Sequence, residues 1–415
     1  MKILFIHPPQ LNVLDNKQDP PLGLLYLAAI LEKNGVNVKI LDLGGVPENL
    51  WEKNIEKADI YGITCYTASL TNTQKISNLI KKNYPESYVI IGGAHPSALP
   101  EETIKYKNFD IVVKGEAENI IFDIVNNIKD YKNNIINSNP IQNLDKIPFP
   151  ARHLINIYEY SRKVLNRKAT NMITGRGCPY KCAFCYKGLY GNTVRLRSAE
   201  NVIKESEFIV ENYNIKAFHF LDDIFTLNKK RLNKILDAFE KMDIWFRCNS
   251  RAGLESLEDF EKLYKGGCKE IAFGIESGSQ KILDKINKCN TVESNKIAIL
   301  NAKKVGIRTK AYLIIGLPGE TEETIEETKK FIEETKPDSC SLYTFIPYPG
   351  TSIWNNPELY DIEIINKNFD DYYIIDTNSR GGITIKLNTI TNEKLIKLRE
   401  NFLYFLKGIY ENKNK

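Results

Sequence analysis

The chain has 415 residues, a length that predicts two domains followed by a tail. Its net charge of +5 is spread over many Lys, Asp and Glu residues without a basic run, which argues against a nucleic-acid partner. No apolar stretch is long enough to span a bilayer, and Pro8 and Pro9 come too early for a signal peptide. We therefore expect a cytoplasmic protein without a membrane span.

The N-terminal third alternates short apolar runs with helical patterns. The runs that predict strands cover 2–6, 36–41, 60–64, 88–91 and 110–113, and helical patterns cover 22–32, 71–82 and 116–128. Because parallel strands need crossovers, this alternation predicts an α/β domain over 1–135 with a Rossmann-like, doubly wound parallel sheet. Its ligands would bind beyond the carboxyl ends of the strands. No GxGxxG motif follows the first strand, so a nicotinamide cofactor is not expected.

Residues 136–165 contain many Asn and Pro residues, which predicts a linker. Over 166–350 the strand–helix alternation resumes, with strands predicted at 171–175, 217–221, 244–249, 270–275, 309–315 and 339–346. These six units predict a partial (β/α)6 barrel with its chemistry at the carboxyl ends of the strands. Residues 351–415, with a helix near 393–410, are interpreted as a C-terminal substrate or lid region. Aromatic side chains that either line a substrate cavity or pack in the core are Tyr343, Tyr348, Trp354, Tyr372 and Tyr373.

One short loop after the first predicted barrel strand carries Cys178, Cys182 and Cys185 in the sequence Gly-Arg-Gly-Cys-Pro-Tyr-Lys-Cys-Ala-Phe-Cys-Tyr. Three thiolates can hold three irons of a cubane [4Fe–4S] cluster and leave the fourth iron open to a small molecule. The alternatives are a zinc knuckle and a chance cluster. Zinc sites usually add a second CxxC or a His pair, which this sequence does not provide. We therefore interpret the loop as an iron–sulfur site.

This CxxxCxxC spacing, with Phe184 before the last cysteine, resembles the radical S-adenosylmethionine (SAM) superfamily. The resemblance implies that SAM binds the open iron and is cleaved reductively to a 5′-deoxyadenosyl radical. It also implies that polar groups at the ends of other barrel strands contact SAM. In chain order these are Asp222, Asp223, Asn249, Arg251, Glu276, Ser277 and Gly316. The alternative at each position is capping or turn formation.

The N-terminal third resembles the cobalamin-binding domain found ahead of many radical SAM barrels. The resemblance rests on segments 19–24, 61–64, 91–102 and 114–118. It implies cobalamin contacts from Thr64, Thr67, Ser69, Gly92, Gly93, Gly115 and Glu116. The DxHxxG signature that supplies a lower axial histidine in other cobalamin proteins is absent. We therefore do not expect His7 or His95 to bind cobalt, since a lone His beside prolines is more often structural.

The order of the domains resembles the class B, cobalamin-dependent radical SAM methyltransferases. The resemblance implies methylation of an unactivated carbon of a small-molecule, lipid or peptide substrate, with a [4Fe–4S] cluster, SAM and cobalamin as cofactors. It also implies an electron donor such as flavodoxin or ferredoxin. The alternatives are cyclisation, rearrangement or oxidation with the same cofactors, a methylthiotransferase, and a non-catalytic corrinoid-binding iron–sulfur protein. No catalytic acid or base is predicted.

Overall fold

The computed structural model describes residues 1–10, 13, 15–372 and 383–411. Its strands are β1 (Lys2–His7), β2 (Asn37–Asp42), β3 (Ile60–Thr64), β4 (Tyr88–Gly92), β5 (Ile111–Lys114), β6 (Asn134–Asn137), β7 (Lys163–Val164), β8 (Arg167–Lys168), β9 (Thr170–Met172), β10 (Gly175–Arg176), β11 (Arg195–Leu196), β12 (Ala217–Phe220), β13 (Trp245–Ser250), β14 (Cys268–Glu276), β15 (Arg308–Ile315), β16 (Ser339–Thr344), β17 (Ile362–Ile364) and β18 (Ile385–Leu387).

The helices are α1 (Leu22–Lys33), α2 (Trp51–Asn54), α3 (Leu70–Asn83), α4 (Ala94–Ala98), α5 (Pro100–Thr103), α6 (Ile121–Asn126), α7 (Ala199–Tyr213), α8 (Lys229–Met242), α9 (Leu257–Lys265), α10 (Gln280–Lys285), α11 (Val292–Lys304), α12 (Glu322–Thr335), α13 (Ser352–Asn355) and α14 (Asn392–Glu411). Two of the short 3-10 helices matter for the candidate site, Thr67–Ser69 and Phe369–Asp371. Among the described residues, no helix has the length and apolar character needed to cross a membrane.

The N-terminal sheet has the strand order β2-β1-β3-β4-β5-β6, and its pairings are parallel. Ile3 and Phe5 pack into a core on one face, while Leu4 and Ile6 pack into a core on the other. A parallel strand that is buried on both faces is apolar throughout, which is why this run lacks alternation. The strand order reverses between β1 and β3, and ligands of such sheets bind beyond the carboxyl ends of strands at this kind of reversal.

The sixth strand of this sheet, β6, lies in a stretch where the sequence predicted no strand. It pairs with β5 from Asn134 to Asn137, and only its two central residues, Ile135 and Ile136, are apolar. A four-residue edge strand flanked by asparagines has too short an apolar run to be recognised by periodicity. The sheet therefore has six strands where five were predicted.

The second sheet confirms the predicted partial barrel. Its order is β16-β15-β14-β13-β12-β9, so each strand pairs in parallel with its neighbours in this series. Five aromatic rings pack between β12, β13 and α8: Phe218, Phe220, Phe225, Phe239 and Phe246. Because its pairings leave β9 and β16 at the edges, the sheet has the open form of an incomplete barrel.

The chain forms two compact units, each built from more than one segment. The N-terminal unit contains the described residues of 1–162 together with Tyr186–Arg197 and 368–372. The barrel unit contains Lys163–Cys185, Ser198–Lys367 and the described residues from 383 onward. The chain thus leaves the barrel unit directly after Cys185 and returns to it at Ser198.

Candidate active site

The cysteine loop follows β10 and begins at Gly177, whose φ of +85° is a backbone conformation that glycine adopts without strain. Hydrogen bonds fix the backbone between the cysteines. The Ala183 N–H donates to the Ile286 carbonyl at 2.8 Å, and the Ile353 N–H donates to the Ala183 carbonyl at 3.2 Å. The loop is therefore held at its centre by residues next to α10 and within α13.

The three thiols of this loop are the candidate ligands of the cluster. In the part of the chain that the structure describes, no three His, Cys, Asp or Glu side chains are arranged to hold a metal ion. One guanidinium nitrogen of Arg251, Nη1, lies 3.9 Å from the Cys182 sulfur. The donor set, three cysteines in one loop, fits an iron–sulfur cluster with an open iron better than a structural zinc ion.

Arg251 and Asn249 place two orphaned polar atoms at the carboxyl end of β13. The Arg251 guanidinium lies 3.7 Å from the centre of the Tyr180 ring. Its Nη2, like Oδ1 of Asn249, is buried and has no hydrogen-bond partner within the described residues. Leaving such an atom unsatisfied costs about 1–3 kcal/mol, so these atoms fit a polar ligand such as SAM. Arg251 is also suited to bind a carboxylate through its planar fork of donors.

Glu276 ends β14 and forms a buried ion pair with Lys288, 2.6 Å away. Glu276 has a φ of +64°, which is uncommon for a residue with a side chain and is stabilised here by the surrounding contacts. The same ammonium group lies 5.7 Å from the centre of the Phe184 ring. Sequence reasoning missed Lys288, because nothing local distinguishes a buried lysine from the many exposed ones. Phe184, Glu276 and Lys288 thus lie together.

The two aspartates that follow β12 differ in their surroundings. Asp222 is buried and accepts hydrogen bonds from the Thr174 N–H at 2.7 Å and the Thr174 hydroxyl at 2.5 Å. Burial raises the pKa of Asp222, and the bonds from Thr174 oppose that rise. Asp223 is exposed. Asp222 therefore links the segment after β9 to the end of β12, and a SAM contact from either residue stays a prediction.

Ser277 and Gly316 follow two further strands. The Ser277 hydroxyl accepts from the Ser279 N–H at 3.1 Å and lies 3.1 Å from the Thr328 hydroxyl, so it stabilises the turn after β14. The Gly316 N–H donates to the carboxyl group of Glu320. Burial raises the pKa of Glu320 to about 8, so this side chain is mostly protonated at neutral pH. Sequence reasoning missed Glu320.

Gly93 packs against the carboxyl end of β3 so closely that a side chain does not fit. A Cβ atom at this position would lie 2.8 Å from the Cys65 carbonyl oxygen and 3.2 Å from the Thr64 hydroxyl. Its φ of +110° also favours glycine. The Cys65 N–H donates to the Gly92 carbonyl at 2.8 Å, which extends the pairing beyond the strand ends. The loops after β3 and β4 are therefore packed tightly against each other at the edge of the sheet where ligands of such folds bind.

The other residues predicted to contact cobalamin occupy the same edge of the sheet. The Ser69 hydroxyl accepts from the Tyr66 N–H at 3.0 Å and donates to its carbonyl at 3.1 Å. Thr67 lies beside His95, with 3.3 Å between the hydroxyl and Nδ1. The Gly115 N–H donates to the Ser97 hydroxyl at 3.0 Å. The structure thus brings the loops after β3, β4 and β5 together.

Glu116 forms an ion pair with another side chain of the N-terminal unit. Its carboxylate forms a buried, bidentate ion pair with Arg195, which also donates to the Ile141 carbonyl at 2.7 Å and the Tyr190 carbonyl at 3.1 Å. This arrangement anchors the segment 186–197. A cofactor contact from Glu116 stays a prediction, since the visible partner of its carboxylate is the guanidinium.

Of the aromatic candidates, Tyr343 lies 6.0 Å from Tyr312 between ring centres, and Tyr372 packs edge-on against Phe369 in the N-terminal unit. Trp354 lies under the Lys367 ammonium at 5.3 Å. Tyr373 lies outside the described residues. These contacts are packing contacts and identify no substrate cavity.

Two segments of the chain match models of known protein families. A family model described as the radical SAM superfamily matches residues 172–332, and one described as the B12 binding domain matches residues 17–125. An uncharacterized methyltransferase of Pyrococcus horikoshii is 33% identical, over 99% of this chain and 95% of that protein. The anaerobic magnesium-protoporphyrin IX monomethyl ester cyclase of Rubrivivax gelatinosus is 26% identical, over 88% of this chain and 72% of that protein.

The solved structures support the fold. The radical SAM methyltransferase TsrM of Kitasatospora setae, with cobalamin and a [4Fe–4S] cluster bound, superposes with a TM-score of 0.69 at 17% identity. The match covers 88% of this chain and 81% of TsrM. A Rossmann-like sheet followed by a partial barrel is thus an arrangement already known to exist in one chain.

Proposed function

Since the chain belongs to the radical SAM superfamily, in the group with an N-terminal B12-binding domain, we propose that it transfers a methyl group to an unactivated carbon of its substrate. Its cofactors are SAM, a [4Fe–4S] cluster and cobalamin. When bound, they supply the 5′-deoxyadenosyl radical that removes a hydrogen atom and the methyl group that replaces it. The protein binds and positions these groups.

The proposed roles follow from the contacts in each unit. Cys178, Cys182 and Cys185 hold the cluster. Arg251 contacts the sulfur of Cys182 through Nη1 and keeps Nη2 available for the carboxylate of SAM. Lys288 neutralises Glu276, so that a buried carboxylate is kept at the end of β14 at a lower cost in desolvation. Because these groups are placed before SAM arrives, little reorganisation is needed on binding.

Methylation is favoured over the alternatives by the relative that covers nearly the whole chain, which is named a methyltransferase. Cyclisation remains the second candidate, since a cyclase covers most of the chain at lower identity. A methylthiotransferase would need further cysteine ligands near the N-terminus, and the first 177 residues contain only Cys65. Burial raises the pKa of the Cys65 thiol to about 12, which disfavours the thiolate that a cluster needs.

The proposed substrate is a small molecule, a lipid or a peptide, and the proposed electron donor is a flavodoxin or ferredoxin. The test compares metabolites of cells with and without the gene, grown with methyl-deuterated methionine. A compound that is heavier by one labelled methyl group, and that is lost in Cys182→Ala, supports methylation. A product without the label supports cyclisation, rearrangement or oxidation. Failure of the reconstituted, reduced enzyme to release 5′-deoxyadenosine with SAM would support a non-catalytic role.

A further inference from the structure

The inner face of the barrel sheet, opposite the face that packs on α8, carries a polar layer. On β13 the Phe246 ring packs against Phe239 of α8, with 6.0 Å between ring centres, so the next residue, Arg247, points to the inner face. Nη2 of Arg247 donates to the Tyr312 hydroxyl of β15 at 3.3 Å, and Nη1 pairs with Glu270 of β14 at 3.3 Å. Since these residues lie on three adjacent strands, they form one layer across the inner face.

The polar layer lies above an apolar floor. At the amino ends of the strands, Val164 of β7 packs with Ala217 of β12, and Trp245 of β13 packs against the same cluster. Residues two apart on a strand share a face, so Trp245, Arg247 and Asn249 follow one another towards the carboxyl end of β13, at about 7 Å per step. The polar layer is therefore about 7 Å below Asn249, which is one of the residues proposed to contact SAM.

The polar layer is continuous with the charged groups at the carboxyl end of β14. On the inner face of this strand, Glu270 is followed at two-residue steps by Ala272 and Gly274. A Cβ atom on Gly274 would lie 2.9 Å from the Lys288 ammonium group, so the ion pair of Lys288 with Glu276 lies over this part of the strand. A substrate bound at the polar layer would thus extend towards the proposed SAM site.

The donors of the polar layer have unused capacity. Nε of Arg247 is buried and has no hydrogen-bond partner among the described residues. The Tyr312 hydroxyl accepts from Arg247 and, within the part of the chain that the structure describes, donates to no acceptor. The Lys310 ammonium lies 5.3 Å from the Tyr312 ring centre and forms no ion pair with a described residue. The side chains of Arg247 and Glu270 are 12% and 20% exposed, so solvent reaches the layer.

The charges of the polar layer favour an anion. The cations Arg247 and Lys310 face a single carboxylate, that of Glu270, and the groups with unused capacity are all donors. A guanidinium, an ammonium and a phenol together match the oxygens of a carboxylate, a phosphate or a phosphonate. A hydrocarbon in the same place would remove water from these groups without replacing its hydrogen bonds, which is unfavourable.

We propose that the substrate carries an anionic oxygen group, a carboxylate, phosphate or phosphonate, that binds to Lys310, Tyr312 and Arg247 on the inner face of the barrel. Glu270 positions the Arg247 guanidinium through their ion pair. The inference rests on the proposed methylation of a substrate and narrows its class from a small molecule, lipid or peptide to an anionic polar molecule.

The first experiment measures anion binding by the full-length protein loaded with its cluster, cobalamin and SAM. Acetate and methylphosphonate are the probes for the two kinds of oxyanion, and the rise of the unfolding temperature with probe concentration gives each affinity. We expect Lys310→Gln and Tyr312→Phe to bind the tighter probe about 10-fold more weakly than the wild type, because each loses one hydrogen bond to a charged group. The tighter probe identifies the kind of oxyanion.

The matched control is Lys269→Gln, since the Lys269 ammonium also lies 5.3 Å from an aromatic ring, that of Trp245 at the floor. It should bind both probes like the wild type. Lys310→Gln loses no ion pair with a described residue, so it should unfold like the wild type when no probe is present. A wild-type protein that neither probe stabilises, or equal affinities in Lys310→Gln and the wild type, would overturn the inference.

The second experiment separates this inference from the proposed function and uses the product labelled from deuterated methionine. A labelled product with a carboxylate, phosphate or phosphonate, whose yield falls in Lys310→Gln and not in Lys269→Gln, supports both. A labelled product without an anionic group would overturn the anion site and leave methylation supported. Probe binding that is weakened in Lys310→Gln, in cells that form no labelled product, would support the anion site and contradict methylation.

Discussion

The two units prepare their ligand-binding edges with different chemistry. In the N-terminal unit the loops after β3 and β4 contain the tightly packed Gly93 and the neutral imidazole of His95, and the one buried ion pair described at this edge, Glu116 with Arg195, follows β5. In the barrel unit the strand ends carry formal charges, with Arg251 beside a cysteine and Glu276 paired with Lys288. Both edges lie at the carboxyl ends of parallel strands, so the fold alone does not explain the contrast.

The contrast matches the ligands that the two families bind. A corrinoid is large and has an extensive flat face. Close packing of the protein backbone against that face gives more van der Waals contact than isolated charged side chains would give. SAM is small and carries an ammonium, a carboxylate and a sulfonium, so it needs charged and polar partners that are fixed in advance. Substitutions in the N-terminal unit should therefore act through shape, and those in the barrel unit through charge and ligation.

The largest effect is expected in the cysteine loop. Replacing Cys182 with Ala removes one of three thiolate ligands, so the charge-transfer absorption of the reconstituted cluster and all SAM cleavage should be lost. Cys289→Ser, at an exposed cysteine outside the motif, should retain both. Full release of 5′-deoxyadenosine by Cys182→Ala would show that this loop does not hold the cluster.

The importance of close backbone packing in the N-terminal unit can be tested by substituting Gly93. In Gly93→Ala the new methyl group would contact the Cys65 carbonyl, so the loop must shift, and we expect cobalamin affinity to fall by at least about 30-fold, or about 2 kcal/mol. Gly35→Ala is the matched control, because Gly35 also has a positive φ but no atom within 4 Å of its Cβ position. Gly35→Ala should lose about 1 kcal/mol of stability because of its positive φ. Gly93→Ala should lose more, because its φ of +110° and ψ of −165° lie in a region that essentially only glycine populates. Equal cobalamin affinity in the two variants would remove the Gly93 loop from the site.

The importance of the planar guanidinium group in the barrel unit can be tested by substituting Arg251. Arg251→Lys keeps the charge but loses the planar fork and the stacking on Tyr180, so we expect SAM to bind about 10-fold more weakly while the cluster is retained. Arg167→Lys is the matched control, since Arg167 stacks on Trp245 at the same 3.7 Å in the same unit. Calorimetric titration of SAM into the cluster-loaded protein measures both. A SAM affinity that is unchanged in Arg251→Lys would contradict the assigned role.

The effect that is smallest per step of the variable is that of pH on stability, and its slope should have opposite signs in the two units. Glu320 has its pKa raised from 4.5 to about 8, so its contribution to stability is complete below pH 4.5 and is lost as the pH rises through 8. His95 has its pKa lowered from 6.5 to about 4, so its contribution is complete above pH 6.5 and is lost as the pH falls through 4.

Thermal unfolding of the protein without cofactors at several pH values measures these slopes. Relative to the wild type, Glu320→Gln should gain about 1 kcal/mol per pH unit between pH 5 and 8, and His95→Gln should gain by a similar amount as the pH falls from 6 to 5. Slopes of the same sign for the two variants would show that burial does not keep both groups neutral.

The sequence predicted the features that depend on residues close together along the chain. The strand–helix alternation predicted both sheets, and the spacing of Cys178, Cys182 and Cys185 led to the superfamily that the comparisons confirm. The sequence did not predict contacts between residues that are far apart along the chain and that only folding brings together. The pairing of Lys288 with Glu276, the burial of Glu320 and the anchoring of Glu116 by Arg195 join residues whose proximity no local periodicity encodes.

The N-terminal unit is assembled from segments that the ribosome delivers at different times. Its first segment ends at Arg162, and the residues that cover His95 come from 368–372. At synthesis rates of about 5–20 residues per second, roughly 10–40 s separate the two. During that interval Glu116 first lacks Arg195, and His95 lacks Phe369. The contacts of the N-terminal unit are therefore completed only after residues 163–367 of the barrel unit have been synthesised.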